Sequence, residues 1–142
     1  MNPGIISAEV KYSNRWPWGQ DGTIKVVSYP AVEDILPGLL IQVTAGGCRV
    51  ARDMTGLIGV SVYDPDRHDP DVPYAFEEMV PILRRGDVWV AFASLAAALP
   101  CDRARWNGET FTADSVGVAV SYTSWIDGIT DGLATRISVN LG

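Results

Sequence analysis

The sequence predicts an all-β protein, a compact β-sandwich or jelly-roll-like barrel with an irregular N-terminal arm and at most one short helix. Apolar and polar residues alternate with a period of two over most of the chain, which is typical of strands that bury one face. Between these runs, Gly follows Asp, Asn, Pro or Gly, as in tight turns. The 142 residues, 47% apolar and 20% charged, suffice for one hydrophobic core.

The chain divides into an arm and one domain. We expect residues 1–22 to form an extended arm that contacts a neighbouring protein, because they contain Pro3, Pro17 and the cluster "RWPWG". Residues 23–142 then form a single β-domain, since they contain no internal repeat and no linker. A second irregular segment, residues 64–78, is predicted to be a long acidic loop within that domain.

Three alternating runs predict the first strands of the domain. Each run carries mainly apolar residues at every second position, so one face of each strand is expected to be buried. These faces consist of Ile24, Val26 and Ser28; of Leu39, Ile41 and Val43; and of Ile58, Val60 and Val62.

The segment "MVPILRRGDVWVAF" predicts a β-hairpin whose two strands meet at Arg85 and Gly86. After this turn, Val88, Val90 and Phe92 fall on one side of the second strand. The tripeptide Arg85-Gly86-Asp87 resembles a receptor-adhesion sequence. Three residues recur by chance, however, and a Gly at a tight turn already explains them.

The remaining elements are one short helix at most and two late strands. Only residues 92–99, "FASLAAAL", have the Ala and Leu density of a helix, and Pro100 ends it. The late strands are predicted by two alternating sets, the second of which is the clearest pattern in the chain. These sets are Val116, Val118, Val120 and Tyr122, and Leu133, Thr135, Ile137, Val139 and Leu141.

Charge and hydropathy exclude several kinds of partner. The net charge is −6 and the pI is about 4.6, whereas proteins that bind nucleic acid concentrate Lys and Arg on one face. The beginning of the chain shows no basic and apolar signal segment, and the uncharged stretch 88–99 is too short to span a membrane. We therefore expect neither a nucleic-acid nor a membrane partner. The nine Arg against two Lys favour a protein interface.

The sequence predicts no catalytic residue and no cofactor. The single His68 has no nucleophile motif such as G-x-S-x-G near it, so it is expected to be a solvated loop residue. Phosphate-binding patterns such as G-x-G-x-x-G and G-x-x-x-x-G-K-[ST] do not occur. Cys48 and Cys101 are far apart and are expected to be buried free thiols.

No metal site is predicted either. The loop 64–78 fails the EF-hand pattern, because Asp69 stands where Gly is required and Ala75 where Glu is required. A metal site of another kind, or a protein partner, stays an open alternative for this loop. Its aspartates are Asp64, Asp66, Asp69 and Asp71.

From residue 35 onward the chain resembles the tailed-phage structural cement (capsid decoration) protein family. The resemblance rests on the order of three segments: "ILPGLLIQVTAGGCRVARDMTGLIGVSVYD", "EEMVPILRRGDVWVAF" and "PCDRARWNGETFT". They contain the family's Pro-Gly-led strand, G-x-x-G-V strand, "v-P-V-l-r-r-G-x-v-W-V" hairpin and "G-x-F-T" turn, here at 37–38, 56–60, 80–90 and 108–112. The chain departs from the family at "PCDRARW", where members often have Gly-Asp.

This resemblance implies a virion structural protein that is not an enzyme. It implies that the protein is made in the cytoplasm of the host bacterium, binds the outside of the shell and clamps the major capsid protein. It also implies a homo-oligomer, and dimer and trimer both stay open.

Aromatic and Arg side chains are the expected interface residues, because such anchors carry much of an interface's energy. Trp16 and Trp18 have an equally weighted alternative, which is to fold back on the protein's own β-core. The proposed contacts are Arg15, Trp16, Trp18, Arg84, Arg85 and Trp89.

Two other functions stay open at this stage. In a sugar- or ligand-binding β-module, Trp16, Trp18 or Trp106 would stack on a flat substrate. A small all-β enzyme of nucleotide metabolism is the other alternative, although the phosphate and metal ligands that it needs are not found in the sequence.

Overall fold

The structure is a computed structural model, and it describes residues 3–6, 24–64, 71–126 and 134–141. These residues form ten strands and no helix, which confirms the all-β prediction. The strands are β1 (Lys25–Pro30), β2 (Leu40–Thr44), β3 (Gly47–Val50), β4 (Leu57–Ser61), β5 (Met79–Ala91), β6 (Arg105–Trp106), β7 (Phe111–Thr112), β8 (Val118–Ala119), β9 (Thr123–Trp125) and β10 (Ala134–Asn140).

The larger sheet has the strand order β3-β2-β4-β5-β10-β9, and β1 also pairs with β5. The first half of β5 lies between two strands, since Leu83 pairs with Val26 of β1 and with Val60 of β4. Just after β1, Ala31 forms a parallel bridge with Cys48 of β3. The first part of the sheet therefore curls back on itself as a small five-stranded barrel.

Two hydrophobic cores follow from this curvature. The barrel encloses the first core, in which Ile41, Cys48 and Ile82 are fully buried. The second core lies between the larger sheet and a small sheet of strand order β7-β6-β8, and it includes Val88 and Ile137. β2 contributes to both cores, because Leu40 faces the second and Ile41 the first.

β5 is one continuous strand of thirteen residues, so the predicted hairpin at Arg85 and Gly86 is wrong. Arg85 pairs with Lys25 of β1 and with Asn140 of β10, so both neighbours hold the chain extended where the turn was expected. Gly86 has a φ of 138°, a conformation in which Gly is favoured. The segment 85–87 therefore lies within a strand, while Val88, Val90 and Phe92 are buried together as predicted.

A β-bulge in β4 changes which side chains share a face. Ile41 pairs with Gly59, but the next residue of β2, Gln42, pairs with Leu57, so the register shifts by one residue. As a result Ile58 lies in the barrel core, whereas Val60 lies in the second core. The prediction that both face the same side is wrong, because a bulge breaks the period of two.

The first two strands also bury faces other than those predicted. On β1, Val26 is 43% exposed, whereas Val27 and Tyr29 pack against the barrel core. On β2, Ile41 is buried as predicted but Val43 is exposed. The difference on β1 arises because the sheet curls into a barrel, which makes only the concave face interior. Val43 shares the face of Ile41 but lies next to the end of β2.

The segments after β5 differ most from prediction. Residues 92–99 form no helix, and the carboxylate of Asp114 accepts the backbone N–H groups of Leu95 and Ala96. Of the set predicted for 116–122, only Val120 is buried. The last strand is confirmed in the part that the structure describes, since Thr135, Ile137 and Val139 are all buried. No helix in the described residues could cross a membrane.

Candidate interaction surfaces

The first described residues of the chain contact β5 and the residues after β4. Gly4 donates a backbone hydrogen bond of 2.7 Å to Trp89, and Trp89 donates one of 2.9 Å to Ile5. Gly4 also accepts a bond of 2.9 Å from the backbone N–H of Tyr63. A Cβ on Gly38 would lie 2.3 Å from the Cβ of Pro3, so the two Pro-Gly turns fit closely together. Residues 3–6 of the predicted arm thus contact β5.

Three of the predicted interface residues lie outside the described part of the chain, namely Arg15, Trp16 and Trp18. Their assignment to an interface therefore stays a prediction. The other three all belong to β5, and each is half-buried.

Within β5, Arg84 and Arg85 contact the end of β10 and the residue after it. Nη2 of Arg84 donates a hydrogen bond of 2.7 Å to the carbonyl of Leu141, and Nε of Arg85 lies 3.4 Å from Oδ1 of Asn140. The Nε of Arg84 is buried and has no hydrogen-bond partner among the described residues. Both Arg side chains therefore help to fasten the last strand.

Trp89 has contacts of its own inside the chain. The guanidinium carbon of Arg136 lies 5.6 Å from the ring centroid, which is a cation–π contact across the β5–β10 pair. The structure brings Trp89 close to β10 and to residues 3–6, but these contacts are intramolecular.

Four exposed large apolar side chains of the described chain lie on or next to the small sheet. Leu95 is fully exposed and Val116 is 83% exposed. The side chains of Leu99 and Val118 are also more than half exposed. We call Leu95, Leu99, Val116 and Val118 the apolar tip.

Asp114 joins the loop that carries Leu95 to the turn that carries Val116. Its carboxylate accepts the N–H of Leu95 at 3.1 Å and the N–H of Ala96 at 2.9 Å. These two backbone hydrogen bonds lower the pKa of the Asp114 carboxyl, because they stabilise its charged form. The loops are therefore fixed in place, so the exposed side chains are presented on a defined surface.

A recess of about 500 Å³ opens beside the tip. Its walls combine small apolar side chains with three charged groups, Asp102, Arg103 and Arg105. Arg105 is held by a bond of 2.8 Å from Nη1 to the carbonyl of Gly117. Leu99 of the apolar tip is one of the lining residues, so the tip adjoins charged groups there.

A second concave surface lies on the outer side of β1. It is a groove of about 610 Å³, lined mainly by apolar side chains. We call it the β1 groove, and its described lining consists of Ile5, Ile6, Ile24, Val26, Ser28, Val62, Tyr63, Asp64, Met79 and Pro81.

The described residues include both cysteine thiols of the chain. Burial raises the pKa of the Cys48 thiol to about 11, and the nearby charge of Glu33 adds to the shift, so the reactive thiolate is scarce at neutral pH. Cys101 is exposed, which corrects the expectation that both thiols are buried. In the parts of the chain that are described, no three His, Cys, Asp or Glu side chains come together as a metal site. His68, Asp66 and Asp69 lie outside them.

Trp106, one of the candidates for stacking on a sugar, is not available for that role. It is 2% exposed and contacts Phe111 edge-on with the ring centroids 5.0 Å apart.

The sequence did not predict the apolar tip. Leu95 and Leu99 lie in the segment that predicted a helix, and Val116 and Val118 lie in a segment that predicted a buried strand. The turn residues around Gly117 were the available signal against a long strand there.

Comparison with known proteins supports the fold. No protein-family model matches the sequence, and no curated protein matches it. A solved chain from the capsid of Myoviridae phage XM1 has a similar structure, with a TM-score of 0.75 and 12% sequence identity. The match covers 99% of this chain and 90% of the phage chain. At that identity, the likeness is one of fold.

Proposed function

We propose that the protein is a structural component of a tailed-phage virion, a decoration protein that binds the outside of the capsid shell and stabilises contacts between major capsid protein subunits. The observation that carries this proposal is the fold shared with a capsid chain of phage XM1 over nearly the whole length of both chains. The residue pattern from position 35 onward, which resembles the cement family, supports the same function independently.

The apolar tip is the proposed contact with the shell. Leu95 and Val116 serve no packing within the described chain, and burying an apolar side chain of this size contributes roughly 1.5–3 kcal/mol. The loops that carry them are already ordered through Asp114, so little conformational entropy is lost on binding. By contrast, Arg84 and Arg85 bond to Leu141 and Asn140 of the same chain, and Trp89 contacts Arg136. We therefore propose Arg84, Arg85 and Trp89 as secondary contacts with the shell.

Repetition converts a modest contact into stable attachment. A shell presents the same surface many times, and an oligomer that engages two or three copies at once gains avidity of about 10²–10⁴ over a single contact. The proposal therefore includes a homodimer or homotrimer seated at local symmetry axes of the shell. No chemical step is required of such a protein.

Imaging of reconstituted shells tests the proposal. Purified protein is mixed with shells assembled from the major capsid protein of its own phage, and with shells of an unrelated phage as a control. We expect regular additional density on the outer surface of the first shells only, together with a higher melting temperature of those shells. Bare shells at saturating protein concentration would contradict the proposal. Sedimentation of the free protein then distinguishes the dimer from the trimer.

A further inference from the structure

We propose that the recess beside the apolar tip binds an extended segment of the shell protein in which acidic and apolar residues alternate. The acidic side chains pair with Arg103 and Arg105, and the backbone of the segment adds a strand to the free edge of β8. The identity of the partner rests on the proposed capsid function, whereas the chemistry of the site rests on the recess itself.

Two arginine side chains line the recess without a carboxylate partner. Arg103 and Arg105 are two residues apart and flank the fully buried Ala104, so both point away from the core and into the recess. Neither forms an ion pair with a described residue, and this includes Asp102 in the same wall. The lining therefore carries two positive charges against one negative, on a protein whose net charge is −6. A carboxylate between the two guanidinium groups would relieve their repulsion and accept hydrogen bonds from both.

The described part of the chain holds this site in a fixed shape. Trp125 donates its backbone N–H to Asp102 at 2.8 Å and accepts that of Cys101 at 3.0 Å, so the loop before β6 is fastened to β9. Nη1 of Arg105 bonds to the carbonyl of Gly117 at 2.8 Å, and a Cβ on Gly117 would lie 2.9 Å from the Cβ of Arg105. Because these groups are already positioned, little conformational entropy is lost when a ligand binds.

β8 has a free edge next to these charges. It is an end strand of the small sheet, and β6 is its one partner among the described strands. Val120 donates its N–H to Ala104, and in an antiparallel pair successive residues direct their backbone groups alternately towards and away from the partner strand. The N–H and C=O of Ala119 therefore point away from β6, and no described residue bonds to them. An added extended segment would bond to both groups.

The two faces of β8 differ in chemistry, and this difference specifies the alternation. Ala119 lies directly opposite Arg105, so both are on the face that forms the recess. Val118 lies opposite Trp106 on the other face and is 54% exposed. A strand added beside β8 places every second side chain on each face. Its acidic residues then meet the arginines, and its apolar residues cover Val118.

An NMR titration with a short peptide tests the recess without shells. The probe is the acetylated and amidated peptide Val-Glu-Val-Glu-Val, and Val-Lys-Val-Lys-Val is its matched control. We expect the acidic peptide alone to shift the Nε–H resonances of Arg103 and Arg105 and the amide resonance of Ala119. The Nε–H resonance of Arg52 should stay unchanged, because Arg52 lies outside the recess and is paired with Glu33. Equal shifts with the lysine peptide, or no shift with the acidic peptide at millimolar concentration, would overturn the inference.

Cosedimentation with shells tests the partner. Arg103→Gln removes one positive charge from the recess and is expected to lower the affinity for shells at least about tenfold, because a charge-assisted hydrogen bond is lost. Arg52→Gln removes the same charge outside the recess and should leave the affinity unchanged. Equal affinities of Arg103→Gln and the unmodified protein would overturn the inference and leave the capsid function standing. Failure of the unmodified protein to bind shells would contradict the capsid function and with it this partner, and the peptide titration would then decide the chemistry of the recess.

Discussion

The indole N–H of Trp106 donates a hydrogen bond of 2.9 Å to the carbonyl of Ala51. Both residues are buried, and they belong to different sheets: Trp106 lies on β6 of the small sheet, and Ala51 follows β3 of the larger one. This bond is a polar contact within a mainly apolar core. It fixes the position of the small sheet, and therefore of the apolar tip that extends from it.

We expect Trp106→Phe to destabilise the protein by about 2–3 kcal/mol. The substitution leaves the carbonyl of Ala51 buried without its donor and reduces the volume that fills the core. Urea unfolding monitored by circular dichroism measures the change. Trp89→Phe is the control, because Trp89 is only half-buried and loses mainly a cation–π contact of about 0.5–1 kcal/mol. Equal destabilisation by both substitutions would contradict this account.

Gly59 is required by the bulge in β4. A Cβ at this position would lie 2.1 Å from the carbonyl oxygen of Leu83 on the neighbouring strand, so the backbone would have to move. We expect Gly59→Ala to cost at least about 3 kcal/mol. Gly108→Ala is a matched control, since its φ is +98° but nothing lies within 4 Å, and it should cost about 1 kcal/mol for the conformation alone. Similar losses in the two variants would show that steric contact at Gly59 is unimportant.

The period of two in the sequence predicted part of the fold, and it failed at sites such as this bulge. The period of two correctly located strands such as β10, and it identified Val88, Val90 and Phe92 as one buried face. It failed where backbone geometry depends on a distant partner. Arg85 and Gly86 predict a turn by themselves, and only their pairing with β1 and β10 keeps that segment extended.

The candidate surface was less predictable than the fold. Val116 alternates with polar neighbours as a buried strand residue does, yet it is exposed because the tight turn that ends at Gly117 interrupts the strand. Likewise, Leu95 and Leu99 have helix-forming neighbours, yet their segment is not helical, and its N–H groups at Leu95 and Ala96 bond to Asp114. In both cases a tertiary hydrogen bond or a turn overrides the local pattern.

The loop after β3 should lose stability at acidic pH. Hydrogen bonds from the hydroxyl and the backbone N–H of Thr55, and from the amide of Gln42, lower the pKa of Asp53 to about 2. A carboxyl with a lowered pKa stabilises the fold fully above its unfolded pKa of about 4, and this contribution disappears as the pH falls to about 2.

We therefore expect the free energy of unfolding to fall between these pH values in the unmodified protein, and to fall less in Asp53→Asn. Urea titrations across this range provide the measurement. Some dependence should remain in the variant, because the pKa of Asp114 is also lowered. Identical slopes in the two proteins would mean that the bonds to Asp53 do not contribute.

The same substitution at two buried threonines should change the stability of the protein in opposite directions. The hydroxyl of Thr135 is buried with no hydrogen-bond partner in the described chain, so Thr135→Val should stabilise the protein by about 1 kcal/mol. The hydroxyl of Thr123 donates to Val120 at 2.7 Å and accepts the N–H of Ala104 at 3.3 Å. Thr123→Val should therefore destabilise it by about 1–3 kcal/mol. Thermal unfolding of both variants compares them directly, and a change of the same sign would contradict the contrast.

Charge placed on the apolar tip should reduce attachment to capsid shells without affecting the fold. Leu95 and Val116 project into solvent, so Leu95→Asp and Val116→Asp should each change stability by less than about 0.5 kcal/mol. If the tip is buried against the shell, each substitution forces a carboxylate into that contact and should lower the affinity at least about tenfold, the equivalent of 1.4 kcal/mol.

Phe76→Asp is the matched control, because Phe76 is 61% exposed but lies in the loop before β5. Cosedimentation with shells measures occupancy for all three. Full occupancy by both tip variants would exclude the tip as the contact, and an equal loss with Phe76→Asp would indicate that net charge, rather than this surface, controls binding.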